Sequence, residues 1–217
     1  HGWSGDSNSW KGWSFYFRDN HWLWQSGERG YGELPIIQPQ WHNQIKADLN
    51  PTRVIISHSL GLHLLDREVL TKATHVVLLC SFSRFLPKGK GKRILCVALE
   101  RMQELIGTSQ EGQMLENFLT KACHPNPVTT IPPGPITKGI STQGRRRLNN
   151  DLKLLIKSKG IPAGFPPNAK VLVVNGEEDA IVVPEAKMML LTDLQNHLRH
   201  PPENWNLHGI GHSILTL

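Results

Sequence analysis

Short apolar runs alternate along the chain with segments that have the spacing of amphipathic helices. Runs rich in β-branched residues and leucine occur at 53–56, 74–80 and 170–174, and polar residues bound each of them. Such runs are typical of buried strands in a parallel sheet. Apolar positions at helical spacing follow at 60–70 and at 184–198. This alternation predicts an α/β fold with a mostly parallel central sheet and flanking helices.

The middle of the chain has a different pattern. Helical spacing recurs there without any strand pattern, in the segments 94–106, 113–122 and 143–157. A proline-rich stretch at 125–135 interrupts these helices. We therefore expect residues 87–160 to form a small helical cap, inserted into a core made of residues 1–86 and 161–217.

Length and cysteine content limit the class of protein. The chain has 217 residues, which fits one domain with a small insertion. Its apolar runs are far shorter than the roughly 18–20 residues that span a bilayer, so the sequence predicts no membrane protein. The three cysteines, Cys80, Cys96 and Cys123, are odd in number and widely spaced. They specify neither a disulfide framework nor a cysteine-based zinc site, and we expect a reducing, cytoplasmic setting.

Positive charge is concentrated in the predicted cap. The whole chain has a net charge of +6. Residues 87–160 contain 13 Lys and Arg against five acidic residues, which leaves this segment at +8 and the remainder at −2. A basic module predicts an anionic partner, either nucleic acid, an anionic membrane surface or an acidic protein, and a merely solvated basic face is the alternative. Because no nucleic-acid-binding motif accompanies the charge, we expect no nucleic acid partner. Because the apolar runs are far shorter than a bilayer span, we also expect no stable membrane association.

The strongest chemical signal lies where the first predicted strand runs into a helix. The sequence Ser57-His58-Ser59-Leu60-Gly61 follows the apolar run and has the pattern of a G-x-S-x-G nucleophile elbow, with Ser57 in place of the first glycine. Small residues are required on both sides because the nucleophile sits on a sharply bent turn. Ser59 is the candidate nucleophile, and we expect Ser57 to pack against its neighbours.

A serine hydroxyl needs a histidine base and a carboxylate that orients the histidine. After a strand–turn–helix elbow these partners follow in the order Ser, acid, His. The run at 170–174 leads into a turn that ends in Asp179, which we predict to be the acid. Glu177 and Glu178 are alternatives in the same turn.

A histidine near the C-terminus completes this set. His212 lies on a glycine-flanked loop after a short apolar segment at 205–207, and we predict it to be the base, with His208 as an alternative. At the start of the chain, a His-Gly-aromatic turn is typical of an oxyanion hole. We expect the backbone amides of Trp3 and Leu60 to supply its two donors.

Taken together, these motifs resemble those of the α/β-hydrolase superfamily. The segments that match it stand in the same order along the chain: His1-Gly2-Trp3, Glu28-Arg29-Gly30-Tyr31-Gly32, Ser57-His58-Ser59-Leu60-Gly61, Gly176-Glu177-Glu178-Asp179 and Gly211-His212. The Trp-rich front and small cap are similar to the pimeloyl-[acyl-carrier protein] methyl ester esterases of biotin synthesis. This resemblance implies a serine carboxylesterase without cofactor or metal, acting on a methyl ester carried by an acidic acyl-carrier protein.

The narrower resemblance also implies a docking surface on the cap. The candidate cations lie on the predicted helix at 143–157 and are Arg145, Arg146, Arg147 and Lys153. A general small-molecule carboxylesterase with no carrier partner is the alternative, and a noncatalytic binding protein on the same fold is a further one.

Two more expectations concern the front of the chain. We predict that Trp3, Phe82 and Phe118 form walls of an acyl pocket. The superfamily places a central strand directly before its His-Gly turn, and without it the neighbouring strands would lack hydrogen-bond partners. We therefore expect several further residues ahead of His1 in the natural protein.

Overall fold

Four parallel strands form a single sheet in the computed structural model, which describes residues 1–42 and 51–216. The strands are β1 (Val54–His58), β2 (His75–Leu79), β3 (Lys170–Gly176) and β4 (Glu203–Leu207). They lie in the order β1-β2-β3-β4, and every neighbouring pair is parallel. The predicted α/β class is confirmed. Parallel order brings the carboxyl ends of all four strands to one edge of the sheet.

Both faces of the sheet are covered at β1, β2 and β3, which explains why these three strands are apolar runs, whereas β4 is mostly exposed. Successive side chains of a strand point to opposite faces. Val171 and Val173 accordingly pack in one buried cluster, whereas Leu172 and Val174 pack in another on the opposite face. β4 was expected only at 205–207, but the strand begins at Glu203.

Helices cover the sheet and connect its strands. Outside the cap they are α1 (Lys11–Asp19), α2 (Arg67–Thr71) and α7 (Pro184–His197). The helix expected at 60–70 is confirmed only in part. A 3₁₀-helix at Ser59–Leu64 ends where Leu65 adopts an extended backbone, and α2 then begins after Asp66.

The segment between β2 and β3 is helical, as the sequence predicts. It contains α3 (Lys90–Leu105), α4 (Glu111–Cys123), α5 (Pro135–Lys138) and α6 (Thr142–Lys157). Leu115 of α4 and Leu148 and Leu152 of α6 pack in one buried cluster with Trp3 and Leu60. The cap therefore rests directly on the turn at the front of the chain and on the predicted elbow. Its treatment as a separate insertion stays a prediction.

A buried carboxylate fastens α6 to the front of the chain. Asp151 accepts two hydrogen bonds from the Arg29 guanidinium, at 2.8 and 2.6 Å, and one from the Tyr31 hydroxyl at 2.7 Å. Burial and the Asp151 charge raise the pKa of Tyr31 well above its ordinary value, so the phenol keeps its proton. A charged carboxylate with three donors is satisfied in the interior, and its removal would leave those donors unpaired.

In the described part of the chain, β1 pairs with β2 alone. A cleft of about 420 Å³ runs along the other side of β1, and Trp22, Trp24 and Trp41 contribute to its walls. The expectation of further residues ahead of His1 stays a prediction. Among the described residues, no helix has both the length and the apolar character needed to cross a bilayer.

Candidate active site

The carboxyl edge of the sheet brings together the side chains that were predicted to act together. Ser59 follows β1, Asp179 lies in the turn after β3, and His212 lies in the loop after β4. All three are buried, with relative exposures of 6%, 9% and 4%. Ser59 is more than 100 positions from the other two residues, and the three meet because each one follows the end of a parallel strand.

Ser59 has the strained backbone that a nucleophile elbow requires. Its φ is +55°, in the left-handed region that residues with a side chain rarely adopt. A Cβ atom at Gly61 would lie 3.0 Å from both the His1 carbonyl oxygen and Ser57 Oγ. A Cβ atom at Gly2 would lie 2.9 Å from Ser59 Cβ. Glycine at these two positions lets the front turn and the elbow pack closely around the serine.

The three side chains form a continuous series of hydrogen bonds. Nε2 of His212 lies 3.0 Å from Ser59 Oγ, and Nδ1 lies 3.0 Å from Asp179 Oδ2. Asp179 Oδ1 accepts from the backbone N–H groups of Ile181 and Val182 at 2.8 and 3.0 Å. These two amides fix the carboxylate, and the carboxylate in turn fixes the orientation of the imidazole.

The interaction between His212 and Asp179 stabilises the charged form of each side chain. Burial alone would lower the pKa of His212, but the charge and hydrogen bond of Asp179 outweigh it and raise that pKa above its ordinary 6.5. Burial alone would raise the pKa of Asp179, but His212 and the two backbone amides hold it below its ordinary 3.8. These contacts would stabilise an imidazolium beside an ionised carboxylate, which is the state that would form if His212 took a proton from serine.

A second histidine, whose contact the sequence patterns did not indicate, lies against the predicted base His212. His58 Nε2 donates to the backbone carbonyl oxygen of His212 at 2.9 Å, and the two rings are 4.9 Å apart. Burial, followed by the proximity of His212, lowers the pKa of His58 to about 3. His58 is therefore neutral near pH 7. Its position next to Ser59 was the available signal, but the chain has 11 histidines.

The alternatives for the acid and the base lie away from the serine. Glu177 and His208 are exposed and pair with each other at 3.1 Å, and Glu178 is exposed in the same turn. Ser57 is buried as expected, and its hydroxyl has no hydrogen-bond partner among the described residues. The geometry therefore favours Ser59, Asp179 and His212 over each alternative.

The front turn that carries the expected oxyanion hole is held by Glu28. Its carboxylate accepts from the backbone N–H groups of Ser7 at 2.8 Å and Gly30 at 2.7 Å, and lies 3.7 Å from His1 Nε2. Burial would raise the pKa of Glu28, but these partners lower it to about 2. The donor roles assigned to the Trp3 and Leu60 amides stay predictions.

An apolar cavity of about 450 Å³ opens beside Ser59 and His212. This volume lies in the range of small-molecule sites. Its walls come from the front turn, from α4, from the segment between α4 and α5, from α5 itself and from the C-terminal segment after His212. The larger apolar side chains that line it are Trp3, Phe118, Leu119, Val128, Ile131, Ile136 and Leu215.

Two of the three predicted pocket aromatics line this cavity. The rings of Trp3 and Phe118 meet edge to face at 4.8 Å, and Trp3 Nε1 donates to the Leu148 carbonyl oxygen at 2.9 Å. The expectation for Phe82 was wrong. Its side chain is fully buried away from the cavity and stacks on His63 at 5.1 Å. The chain turns sharply at Cys80, whose φ is +44°, and this turn precedes the buried position of Phe82.

The four predicted docking cations differ in their surroundings. Arg145 forms a bidentate ion pair with Glu111 of α4, and Arg147 donates to the Gly30 carbonyl oxygen at 2.7 Å. Arg146 and Lys153 are exposed. Only the last two are therefore available in full to a partner, and docking itself stays a prediction.

Comparison with known proteins supports the fold. No protein-family model matches the sequence, and no curated protein matches it. The structure is similar to that of an esterase from Exiguobacterium antarcticum, with 15% identity over 98% of this chain and 82% of that chain and a TM-score of 0.60. It is also similar to MGS-M2, an α/β-hydrolase enzyme from a Medee basin deep-sea metagenome library (15% identity, 98% and 80%, TM-score 0.64). A thermophilic esterase from Thermogutta terrifontis is similar as well (16% identity, 100% and 82%, TM-score 0.62). The chain has the α/β-hydrolase fold.

Proposed function

We propose that this protein is a serine carboxylesterase that hydrolyses esters with an apolar acyl chain. The observation that carries the proposal is the series of hydrogen bonds from Ser59 through His212 to Asp179, at the wall of an apolar cavity. The similar solved structures include proteins described as esterases, which agrees with this chemistry.

The proposed reaction has two steps, acylation of Ser59 and hydrolysis of the acyl-serine. His212 Nε2 takes the proton of Ser59, and Ser59 Oγ forms a bond to the ester carbonyl carbon. The resulting oxyanion is held by the amides of Trp3 and Leu60. The carbon–oxygen bond to the alcohol then breaks, and His212 gives its proton to the leaving alcohol. Water attacks the acyl-serine in the same way and releases the acid.

The lining of the cavity suggests the class of acyl group. Most of its larger side chains are apolar, and none of the described lining residues is a Lys or Arg. A carboxylate bound inside would lose water without gaining a cation, which is costly. The cavity therefore suits a neutral, apolar acyl chain whose ester carbonyl lies against Ser59.

The proposed function extends to the identity of the natural ester. We propose that the natural ester is the methyl ester of a pimeloyl-type chain on an acidic acyl-carrier protein, in the synthesis of a biotin precursor. The resemblance of the sequence motifs supports it, and so do the exposed cations Arg146 and Lys153 on α6. A carrier docked there would be attracted by charge, so association should weaken as salt rises.

The hydrolytic proposal is tested with a matched pair of serine variants. Ser59→Ala should lower hydrolysis of p-nitrophenyl butyrate by about 10⁴–10⁶-fold, because the nucleophile is lost. Ser57→Ala, two residues away, should keep most of the activity because its hydroxyl makes no hydrogen bond to the site. Labelling by a fluorophosphonate probe should follow the same order. A folded parent protein that neither hydrolyses esters nor reacts with the probe would favour a noncatalytic binding protein.

The carrier-protein proposal needs a separate test. The double variant Arg146→Glu with Lys153→Glu should lower kcat/KM for the carrier-linked methyl ester and leave the p-nitrophenyl ester unaffected. Lys72→Glu is the control, since Lys72 is exposed just before β2, at the opposite edge of the sheet. Equal effects on both esters, or none on either, would favour a general carboxylesterase without a carrier.

A further inference from the structure

A third reactive side chain lies against His212 and Asp179, and the proposed reaction does not use it. Cys80 follows β2 directly and is fully buried. Its thiol lies 3.6 Å from the Gly211 carbonyl oxygen, in the loop that carries His212. Ligand atoms of Cys80, Asp179 and His212 all lie within 4.8 Å of one another. Three consecutive strand ends therefore bring together a thiol, a carboxylate and an imidazole.

This ligand set matches one class of metal ion. Zinc binds thiolate sulfur at about 2.3 Å and imidazole nitrogen or carboxylate oxygen at about 2.0–2.2 Å. Tetrahedral geometry then separates the ligand atoms by about 3.3–3.6 Å. A separation of up to 4.8 Å therefore needs to shorten by at most about 1.2–1.5 Å for a zinc ion to bind all three. Magnesium and calcium prefer oxygen ligands alone and do not suit this set.

We propose that Cys80, Asp179 and His212 form an inhibitory site for zinc and chemically similar thiophilic divalent cations. The inhibitory part rests on the proposed function, since it requires His212 to be the base. The binding part rests only on the juxtaposition of the three ligands. Cysteine spacing does not predict this site, because its ligands meet only through the parallel order of β2, β3 and β4.

Binding changes the protonation of the site in a defined way. The Cys80 thiol loses its proton to solvent and binds as the thiolate. The ion binds Nδ1 of His212, the nitrogen that faces Asp179, so the ring proton of neutral His212 is carried on Nε2 instead. Each ion bound to the neutral site therefore releases one proton, and no oxidant or reductant is required.

Inhibition follows from the position of that ring proton. Nε2 is the atom that lies 3.0 Å from Ser59 Oγ. Once Nε2 carries a proton and Nδ1 is bound to the ion, the imidazole has no free lone pair to accept the serine proton. The ion thus blocks the first step without occupying the acyl cavity.

The experiment separates binding from activity. Ser59→Ala keeps all three proposed ligands and lacks the nucleophile, so its binding does not depend on hydrolysis. We expect it to bind one Cd²⁺ per chain with an ultraviolet thiolate-to-metal charge-transfer band, and one Zn²⁺ by titration calorimetry. Adding Cys80→Ala to this variant should remove the band and weaken binding by about 100-fold or more, because one of three protein ligands is lost. A Cd²⁺ complex without a thiolate band, or equal binding with and without Cys80, would overturn the site.

Inhibition is measured on the active protein. Zn²⁺ should suppress ester hydrolysis and fluorophosphonate labelling of the parent, and a chelator should restore both. Cys80→Ala should be resistant, whereas Cys96→Ser and Cys123→Ser should remain sensitive, since these thiols lie outside the ligand set. Thermal unfolding and labelling without metal establish that Cys80→Ala is folded. Equal zinc sensitivity of parent and Cys80→Ala would overturn the proposal even if hydrolysis is confirmed.

Discussion

The predicted functional residues are arranged in opposite ways at the carboxyl edge of the sheet and on α6. At the sheet edge, Ser59, Asp179 and His212 come from distant parts of the sequence and converge within hydrogen-bond distance. On α6, Arg145, Arg146 and Arg147 are adjacent in the sequence and diverge. Successive residues of a helix point about 100° apart, so the three arginines face α4, solvent and the front loop respectively. Proximity in the sequence is therefore a poor guide to a shared surface on a helix, whereas strand ends in a parallel sheet gather residues reliably.

After loss of the nucleophile itself, the largest effect should come from disturbing the orientation of His212. Asp179→Asn should lower kcat by about 10⁴-fold, since an amide does not hold the imidazole in the tautomer that accepts from serine. The measurement is steady-state hydrolysis of p-nitrophenyl butyrate over a range of pH.

The pH profile gives this variant a second readout. The proposed reaction requires neutral His212, and Asp179 raises the pKa of His212, so the parent should gain activity as pH rises through that raised pKa, which lies above the ordinary 6.5. In Asp179→Asn the negative charge is gone, and burial, which lowers the pKa, dominates. The acid limb of the residual activity should therefore move to lower pH. An acid limb that moves to higher pH in Asp179→Asn would contradict the ion pair between Asp179 and His212.

A second large effect is expected where the cap meets the front of the chain. Asp151→Ala should reduce the free energy of unfolding by about 3–5 kcal/mol, because it leaves the Arg29 guanidinium and the Tyr31 hydroxyl without their partner. Urea denaturation of Asp151→Ala and of the exposed neighbour variant Asn150→Ala measures it. A similarly small loss of unfolding free energy in both variants would mean that the Asp151 carboxylate does not hold α6 against the front of the chain.

The carboxyl edge of the sheet and α6 also show how far the structure can be predicted from the sequence. Strand positions followed from apolar runs such as 170–174, and the order of Ser59, Asp179 and His212 followed from the strand ends. The environment of each cap arginine did not follow, because it depends on which side of α6 meets Glu111 or Gly30. The surroundings of Phe82 and Cys80 could not be predicted from the sequence either. Cys80 has a left-handed backbone directly after β2, and this local turn leaves Cys80 beside His212 and places Phe82 away from the cavity.

A smaller effect should come from the second histidine at the sheet edge. We expect His58 to be a positioning residue that acts through its hydrogen bond to the backbone carbonyl oxygen of His212. His58→Leu removes the donor to the His212 carbonyl oxygen and should lower kcat/KM by about 10–100-fold, because small displacements of the base are costly. His58→Gln keeps a donor and should recover most of that loss. Neither change should shift the pH profile, because a pKa of about 3 keeps His58 neutral at the pH of the assay. Equal losses in both variants would indicate a packing role alone.

The smallest effects distinguish adjacent arginines on the cap. Arg145→Ala removes the bidentate partner of Glu111, a residue that is 8% exposed, and should cost about 1 kcal/mol of unfolding free energy. Arg146→Ala should change it by less than about 0.5 kcal/mol, because Arg146 is exposed. Urea denaturation at low and high salt measures both variants.

The pH dependence of the Arg145–Glu111 ion pair shows whether its stabilising effect comes from charge. Burial would raise the pKa of Glu111, but Arg145 and the Gly107 amide hold it below its ordinary 4.5. The stability that the pair contributes is therefore present above pH 4.5 and is lost as pH falls through the lowered pKa of Glu111. The difference between Arg145→Ala and the parent should shrink on acidification, whereas Arg146→Ala should follow the parent throughout. A difference that persists after Glu111 is protonated would show that Arg145 stabilises the cap by packing and not by its charge.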